Sequence, residues 1–244
     1  MGYPPFVSGR MARGGSLAAA TGGSAWTNAY SGSFDGGDWL EAPRDDDMNN
    51  DELTISAWVK FNAVDANQCF VAKRSGAGGL YFQIKLKSTG YLEFYNGGTI
   101  VGDSRSISAD TWYHVCVVDD SSNTLIYLNG SSATTSNSGT GDQTSEAPLS
   151  IGRLNSTYGQ YMDGFIDEVA IWTSALSSTN VATVYNSGTP SDISGLSPFC
   201  WYRMGDDNSG SSAISTITDQ GSSANDAVQS TGAAQPALST TIPS

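Results

Sequence analysis

The sequence is short of positive charge, histidine, cysteine and long apolar runs, and each shortage removes a class of function. Eleven Lys and Arg stand against 24 Asp and Glu, a formal net charge of −13 over 244 residues. Such a surface repels nucleic acid and anionic membranes and attracts cations, so no nucleic-acid partner is expected. The single histidine, His114, leaves every Ser-His-Asp or Cys-His arrangement competing for one base. Three cysteines, Cys69, Cys116 and Cys200, make no disulfide framework and are expected as buried free thiols. No apolar run approaches the roughly 20 residues that cross a bilayer, so membrane insertion is not expected. The opening stretch MGYPPFVSGRMARGG lacks the apolar core of a secretory signal. That predicts a protein outside the general secretory route.

What is present is β patterning organised around residues 162–188, MDGFIDEVAIWTSALSSTNVATVYNSG. Strand alternation there puts Phe165, Asp167, Val169 and Ile171 on one face, with Ile166, Glu168, Ala170 and Trp172 on the other. Ser177 is placed to cap a short helix whose Val181, Val184 and Tyr185 form a single buried stripe. Gly188 is placed to end it in a left-handed conformation. The rest of the chain is rich in Gly, Ser and Thr and carries no second convincing helix. The expectation is one all-β sandwich domain over residues 31–244, with residues 199–244 completing it.

Residues 1–30 have two readings, a poorly ordered terminus or an arm that docks on a neighbour through Tyr3, Pro4, Pro5, Phe6, Arg10 and Arg13. Asp45, Asp47 and Asn49 match the start of an EF-hand loop. The match then fails, because Asn50 replaces the required Gly and Ser56 the bidentate Glu, so this run is expected as a solvated loop. Residues 53–61, 80–86 and 91–96 alternate as strands, as do 112–118 and 124–129 around a hairpin, while 131–147 is expected as a polar loop. For the apolar sets of 80–86 and 91–96 to share a face, their loop must have odd length. Three residues ending in a left-handed Gly90 satisfy this.

Six segments in order, SFDGGDWLEAP, LTISAWVKF, TWYHVCVV, LIYLNG, PLSIGR and MDGFIDEVAIWTSALS, span residues 33–188. Together they resemble the laminin-G-like jelly roll of the concanavalin A-like lectin and glucanase group. The resemblance implies two curved antiparallel sheets packed face to face. In many relatives a segment similar to WYRMGDDNSG…ITDQGSSANDA precedes the FDG strand, whereas here it follows the helix, as in a circular permutation. That placement resembles marine bacteriophage structural proteins. It implies a virion surface protein, capsid-decorating or tail-associated, held to other virion proteins by the N-terminal arm. A purely structural cement protein and a free extracellular lectin-like module are the alternatives.

Asp167 falls in the apolar register of its strand, where a carboxylate must be paired, hydrogen-bonded or metal-bound. In the relatives this aspartate helps hold a structural calcium with groups of the N-terminal strand. The resemblance therefore implies Asp35 and the Gly36 carbonyl as partners to one Ca2+. Acceptance of backbone N–H groups is the other reading. Tyr81, Tyr91 and Tyr95 share a strand face with Gln83, Lys85 and Glu93, a candidate platform for a cell-surface glycan. Sugar C–H faces stack on such rings, and hydroxyls need such polar groups. Cross-strand stabilisation is the competing reading of the same face. Tyr158 and Tyr161 offer a second contact point. The Glu-x-Asp-x-x-Glu spacing of the glucanases is missing, and Asp163, Asp167 and Glu168 do not reproduce it, so no enzyme is expected.

Overall fold

The computed structural model describes residues 26–74, 80–97, 99–137, 145–206 and 211–244. Its strands begin with β1 (Ser31–Asp35), β2 (Leu40–Ala42), β3 (Glu52–Phe61), β4 (Gln68–Arg74), β5 (Leu80–Leu86) and β6 (Tyr91–Asn96). There follow β7 (Thr99–Ser106), β8 (Trp112–Asp120), β9 (Asn123–Leu128), β10 (Ser131–Asn137), β11 (Leu149–Ile151) and β12 (Asp163–Trp172). After one helix, α1 (Ser178–Tyr185), come β13 (Cys200–Tyr202), β14 (Thr216–Ile217), β15 (Ala227–Val228) and β16 (Ala237–Ser239). Sheet one runs β10-β9-β8-β3-β12-β1-β16, with β13 also on β12; sheet two runs β14-β15-β2-β11-β4-β5-β6-β7. All pairings are antiparallel, as an all-β jelly-roll sandwich requires.

Phe34, Phe61, Phe70, Phe82, Phe94 and Ile166 meet between the sheets, each at most 1% exposed. Each such side chain contributes roughly 1.5–3 kcal/mol relative to exposure. The β5–β6 hairpin has the parity its apolar pattern demands. Ile84 faces Phe94 and Leu86 faces Leu92, around a Ser88-Thr89-Gly90 loop in which Gly90 has φ +80°. Residues 131–137, expected as loop, form β10 instead. The Asn129-Gly130 turn, with φ of 50° and 73°, returns the chain as a hairpin, and a strand of sequence SSATTSN leaves no apolar alternation to read. Of the proposed arm, residues 1–25 lie outside the described residues.

Strand β12 departs from simple alternation. Asp167 lies opposite Trp58 but Ala170 lies opposite Ser56, a bulge in which Glu168 takes φ 48°. The bulge flips the register, so Ile166, Val169 and Ile171 enter the core while Phe165 and Asp167 face outward. Asp167 is therefore not in the inter-sheet core, although it is fully buried. It accepts from the Asn28 side chain at 2.9 Å and from the Glu168 N–H at 2.8 Å. Glu168 accepts from the Trp201 indole and pairs with Arg203 at 3.3 Å. Arg203 also pairs with Asp206 and donates to the Thr27 carbonyl. Burial and the charge of Glu168 hold the Asp167 carboxyl well above its usual range. Burial likewise pushes Glu168 up to about 7, against the pull of Arg203.

The helix is capped as expected, Ser177 Oγ accepting from the Asn180 N–H at 3.2 Å. It ends earlier than Gly188 suggests, because Asn186 (φ 44°) already adopts the left-handed conformation. Two consequences can be measured. At Gly164 (φ +150°) a Cβ would sit 2.1 Å from the Lys60 carbonyl, so Gly164→Ala should lower stability by about 3 kcal/mol in denaturant melts. Because folded Glu168 keeps a proton that the unfolded chain has lost, its contribution falls as pH rises from about 4.5 to about 7. Buried His114, depressed to about 3, acts in the opposite sense, losing stability below about 6.5. Glu168→Gln should therefore make the fall between pH 4.5 and 7 shallower, leaving the part that Asp167 and Asp38 contribute and the His114 limb, as read from unfolding free energies across that range.

Candidate functional site

The two outer faces of the sandwich differ in what covers them. On sheet one, the Trp58 ring stacks on Tyr185 of α1 at 5.9 Å, and His114 lies tilted against both. Ser56 Oγ meets His114 Nε2 at 2.8 Å, and Thr54 Oγ1 donates to the Ser174 carbonyl, so even the polar row is consumed by the chain's own cover. Ala170, Trp172, Val184 and Trp201 form a second small core beneath that cover. His114 is thus a neutral structural residue, with burial pushing it down to about 3.

Sheet two presents the open face. Register carries a straight row across it, from Glu41 through Ser150, Ala72, Gln83 and Tyr95 to Ile100. One step along, Lys85 lies opposite Glu93, and Glu93 opposite Gly102. Tyr91 and Ile100 are exposed at 41% and 60%, unusually high for large apolar groups on a sheet. Tyr95 is half-buried. Tyr81 lies in β5, but its side chain is outside the described residues. Gln83 and Glu93 are buried at the base of the face, where Glu93 pairs with Lys85 at 3.0 Å and Lys87 at 3.1 Å. Burial alone would raise the Glu93 carboxyl; hydrogen bonds and charge from the two lysines overcome it and hold it below the ordinary glutamate range.

Strand β7, which the sequence pattern did not announce, turns this face into a concavity. Tyr91 lies opposite Ser106 while Glu93 lies opposite Gly102, so β7 carries extra residues and bows away. Asp103 and Arg105 close the bow as an ion pair, and Arg105 reaches the Ser131 carbonyl at 2.7 Å, tying β7 to sheet one. The result is a hollow of about 500 Å³ bordered by Lys87, Tyr91, Glu93, Ile100, Gly102 and Ser104. A Cβ built on Gly102 would meet nothing within 4 Å, so the space beside it is open. A second hollow, of about 260 Å³, lies at the other end of the row among Glu41, Arg74, Ser150 and Asn155. Its wall is the loop 152–161. Leu154 is packed on Cys69 and Ala72, and Asn155 Oδ1 accepts from the N–H groups of Thr157 and Tyr158. Arg74, Gly102 and Ile100 were not legible as site residues, since their grouping depends on β4 and β7.

The expected metal ligands are not brought together. Asp35 lies opposite Asp163 on β12, four residues and about 13 Å along the strand from Asp167. Asp35 Oδ1 accepts from the Gly37 N–H, and the Gly36 N–H donates to the Met162 carbonyl. Both Asp167 oxygens are already engaged by Asn28 and the Glu168 N–H. Asp35, Gly36 and Asp167 therefore do not fit a shared calcium, and no cluster of three or more metal-ligating acidic, His or Cys side chains occurs among the described residues.

Comparison with known proteins agrees with this architecture. Residues 34–182 match the family model described as the concanavalin A-like lectin/glucanases superfamily. Among solved structures, a provisionally assigned carbohydrate-binding protein from Bacteroides ovatus superposes with a TM-score of 0.67 at 17% identity, covering 89% of this chain and 62% of that one. A heptameric SAP-like pentraxin from Limulus polyphemus gives 0.49 at 20% identity, over 65% and 82% of the two chains. No curated protein matches the chain. With more than half of its residues covered by that model, and both sheets in place, the chain belongs to the concanavalin A-like lectin/glucanases superfamily, in its laminin-G-like branch.

Proposed function

We propose that this protein is a non-catalytic carbohydrate-binding domain that takes its ligand on the outer face of sheet two. The observation that carries the reading is the 500 Å³ hollow, in which the exposed Tyr91 and Ile100 border a fixed Glu93–lysine array. Apolar sugar faces need such surfaces to stack on, and hydroxyls need hydrogen-bond partners that do not have to be reorganised on binding. The membership of a lectin-like superfamily and the likeness to the Bacteroides protein support the same reading.

Glycoside hydrolysis by two carboxylates requires one that can hold a proton near neutrality. Glu93 does not offer that, because two lysines hold it low. Binding without turnover is the function left to this face. The proposed setting is the surface of a virus particle, supported by the resemblance of the tail arrangement to phage structural proteins. Attachment there would run through residues 1–14, so their deletion should abolish particle binding while leaving the melting temperature unchanged.

The hollow can be tested without touching the core. Gly102→Phe would obstruct it and should reduce affinity for an oligosaccharide chosen from a glycan array more than tenfold, with an unchanged melting temperature. Tyr91→Ala should weaken the same binding several-fold, in line with a stacking contribution of roughly 1 kcal/mol. Unchanged affinity in the folded Gly102→Phe protein would remove the reading.

A further inference from the structure

The same face departs from the charge of the whole molecule. Of eleven Lys and Arg, four — Arg74, Lys85, Lys87 and Arg153 — lie along the open side of sheet two and its bordering loop. They confront Glu41 and Glu93, both already paired, and Glu146, which lines the smaller hollow and is paired with Arg44. At the two ends, Arg105 is matched by Asp103, while Arg44 is shared by two carboxylates, Asp46 and Glu146. In a chain of net charge −13, this face is thus close to charge balance, with six basic groups, Arg74 among them, against the five acids Glu41, Asp46, Glu93, Asp103 and Glu146.

Arg74 is the residue that this arrangement leaves over. Its guanidinium lies 4.5 Å from the centre of the Tyr158 ring and donates to Gln83 Oε1 at 3.1 Å. Its Nε is buried with no hydrogen-bond partner among the described residues, and no carboxylate pairs with it there. Glu41, in the same hollow, is instead engaged by Arg153 at 2.7 Å, and that guanidinium is itself stacked 3.3 Å from the Trp39 ring. An arginine held over an aromatic ring at the border of a 260 Å³ hollow, with a donor left unmatched, is suited to a planar or tetrahedral anion. Gln83 joins this hollow to the larger one, since it lies opposite Tyr95, whose next neighbour is Ile100. Across the sheet the two hollows are separated by three strand spacings, about 14 Å, and they are also offset along the strands, a span for an oligosaccharide of several units.

We propose that the saccharide bound on sheet two is acidic, and that its carboxylate or sulfate group is held by Arg74 against Tyr158. This rests on the carbohydrate-binding reading above and narrows it to a ligand class. The test is calorimetric titration of the full chain with three probes: an oligouronate, a sulfated galactan oligosaccharide and a neutral cello-oligosaccharide. At least one acidic probe should bind tenfold or more tightly than the neutral one, with the preference shrinking as salt is raised. Which acidic probe wins distinguishes carboxylate from sulfate.

Arg74→Ala, with its fold verified by circular dichroism, should erase the acidic preference. Arg74→Lys should restore it only in part, because an ammonium neither stacks flat nor binds bidentately. Should Arg74→Ala misfold, Tyr158→Ala supplies the second reading and should lower the preference several-fold by releasing the guanidinium. Equal affinity for neutral and acidic probes, or a preference that survives Arg74→Ala, would overturn the proposal. Neutral binding that Gly102→Phe abolishes would leave the carbohydrate reading standing without it. Silence toward all three probes and toward a broad glycan array would bring down both.

Discussion

Strand β12 has three neighbours to satisfy: β3 along one edge, and β1 and β13 end to end along the other. The chain's N-terminal and C-terminal segments meet at that second edge, between Ser31 and Tyr202, and the bulge at Asp167–Glu168 sits beside the junction. It lets β12 keep an apolar inner face on both sides of the gap while two carboxylates turn outward into the seam. There Arg203 draws Glu168, Asp206 and the Thr27 carbonyl together, with Trp26 and Trp201 under its guanidinium plane. Removing one partner of such a buried charge group is expected to be expensive, because the remaining charge is left without water. The seam is therefore where a sandwich built from both chain ends is joined.

Covering that seam determines where a ligand has room. The helix α1, the turn after it and Trp172 close over sheet one, where Thr54 donates to the Ser174 carbonyl and Ser56 meets His114 Nε2. Among the described residues, no helix lies over sheet two. Its outer side chains are instead arranged by their own pairing, Glu93 between two lysines and Glu41 against Arg153. These pairs hold buried polar groups in place, and the exposed Tyr91 ring borders them. A surface of this kind offers fixed hydrogen-bonding directions beside apolar area, which is the combination a sugar requires.

Much of the fold was legible from alternation. The strands around Ile55, Ile84, Phe94 and Val117, the odd loop ending in Gly90 and the helix cap at Ser177 all follow from local pattern and turn chemistry. Strands β4, β7 and β10 were not. Residues 68–74 are buried on both faces, so they show no period, and β7 and β10 are polar and irregular. The site was legible only in part for the same reason. Tyr91, Tyr95 and Glu93 sit on strands that alternate cleanly, whereas Arg74 and Gly102 acquire meaning only when β4 and β7 are placed beside them. The bulge misled the reading of Asp167, because period-two logic cannot foresee one extra residue.

The most direct test of the central claim is backbone amide chemical-shift mapping by NMR, with and without an oligosaccharide that the protein binds. The account predicts shifts concentrated at Gln83, Tyr95, Ile100 and Gly102, fading toward the far side of the sandwich, with Val181 and Tyr185 of α1 unmoved. Shifts clustered on α1 and the outer side of sheet one, with β5–β7 silent, would contradict it.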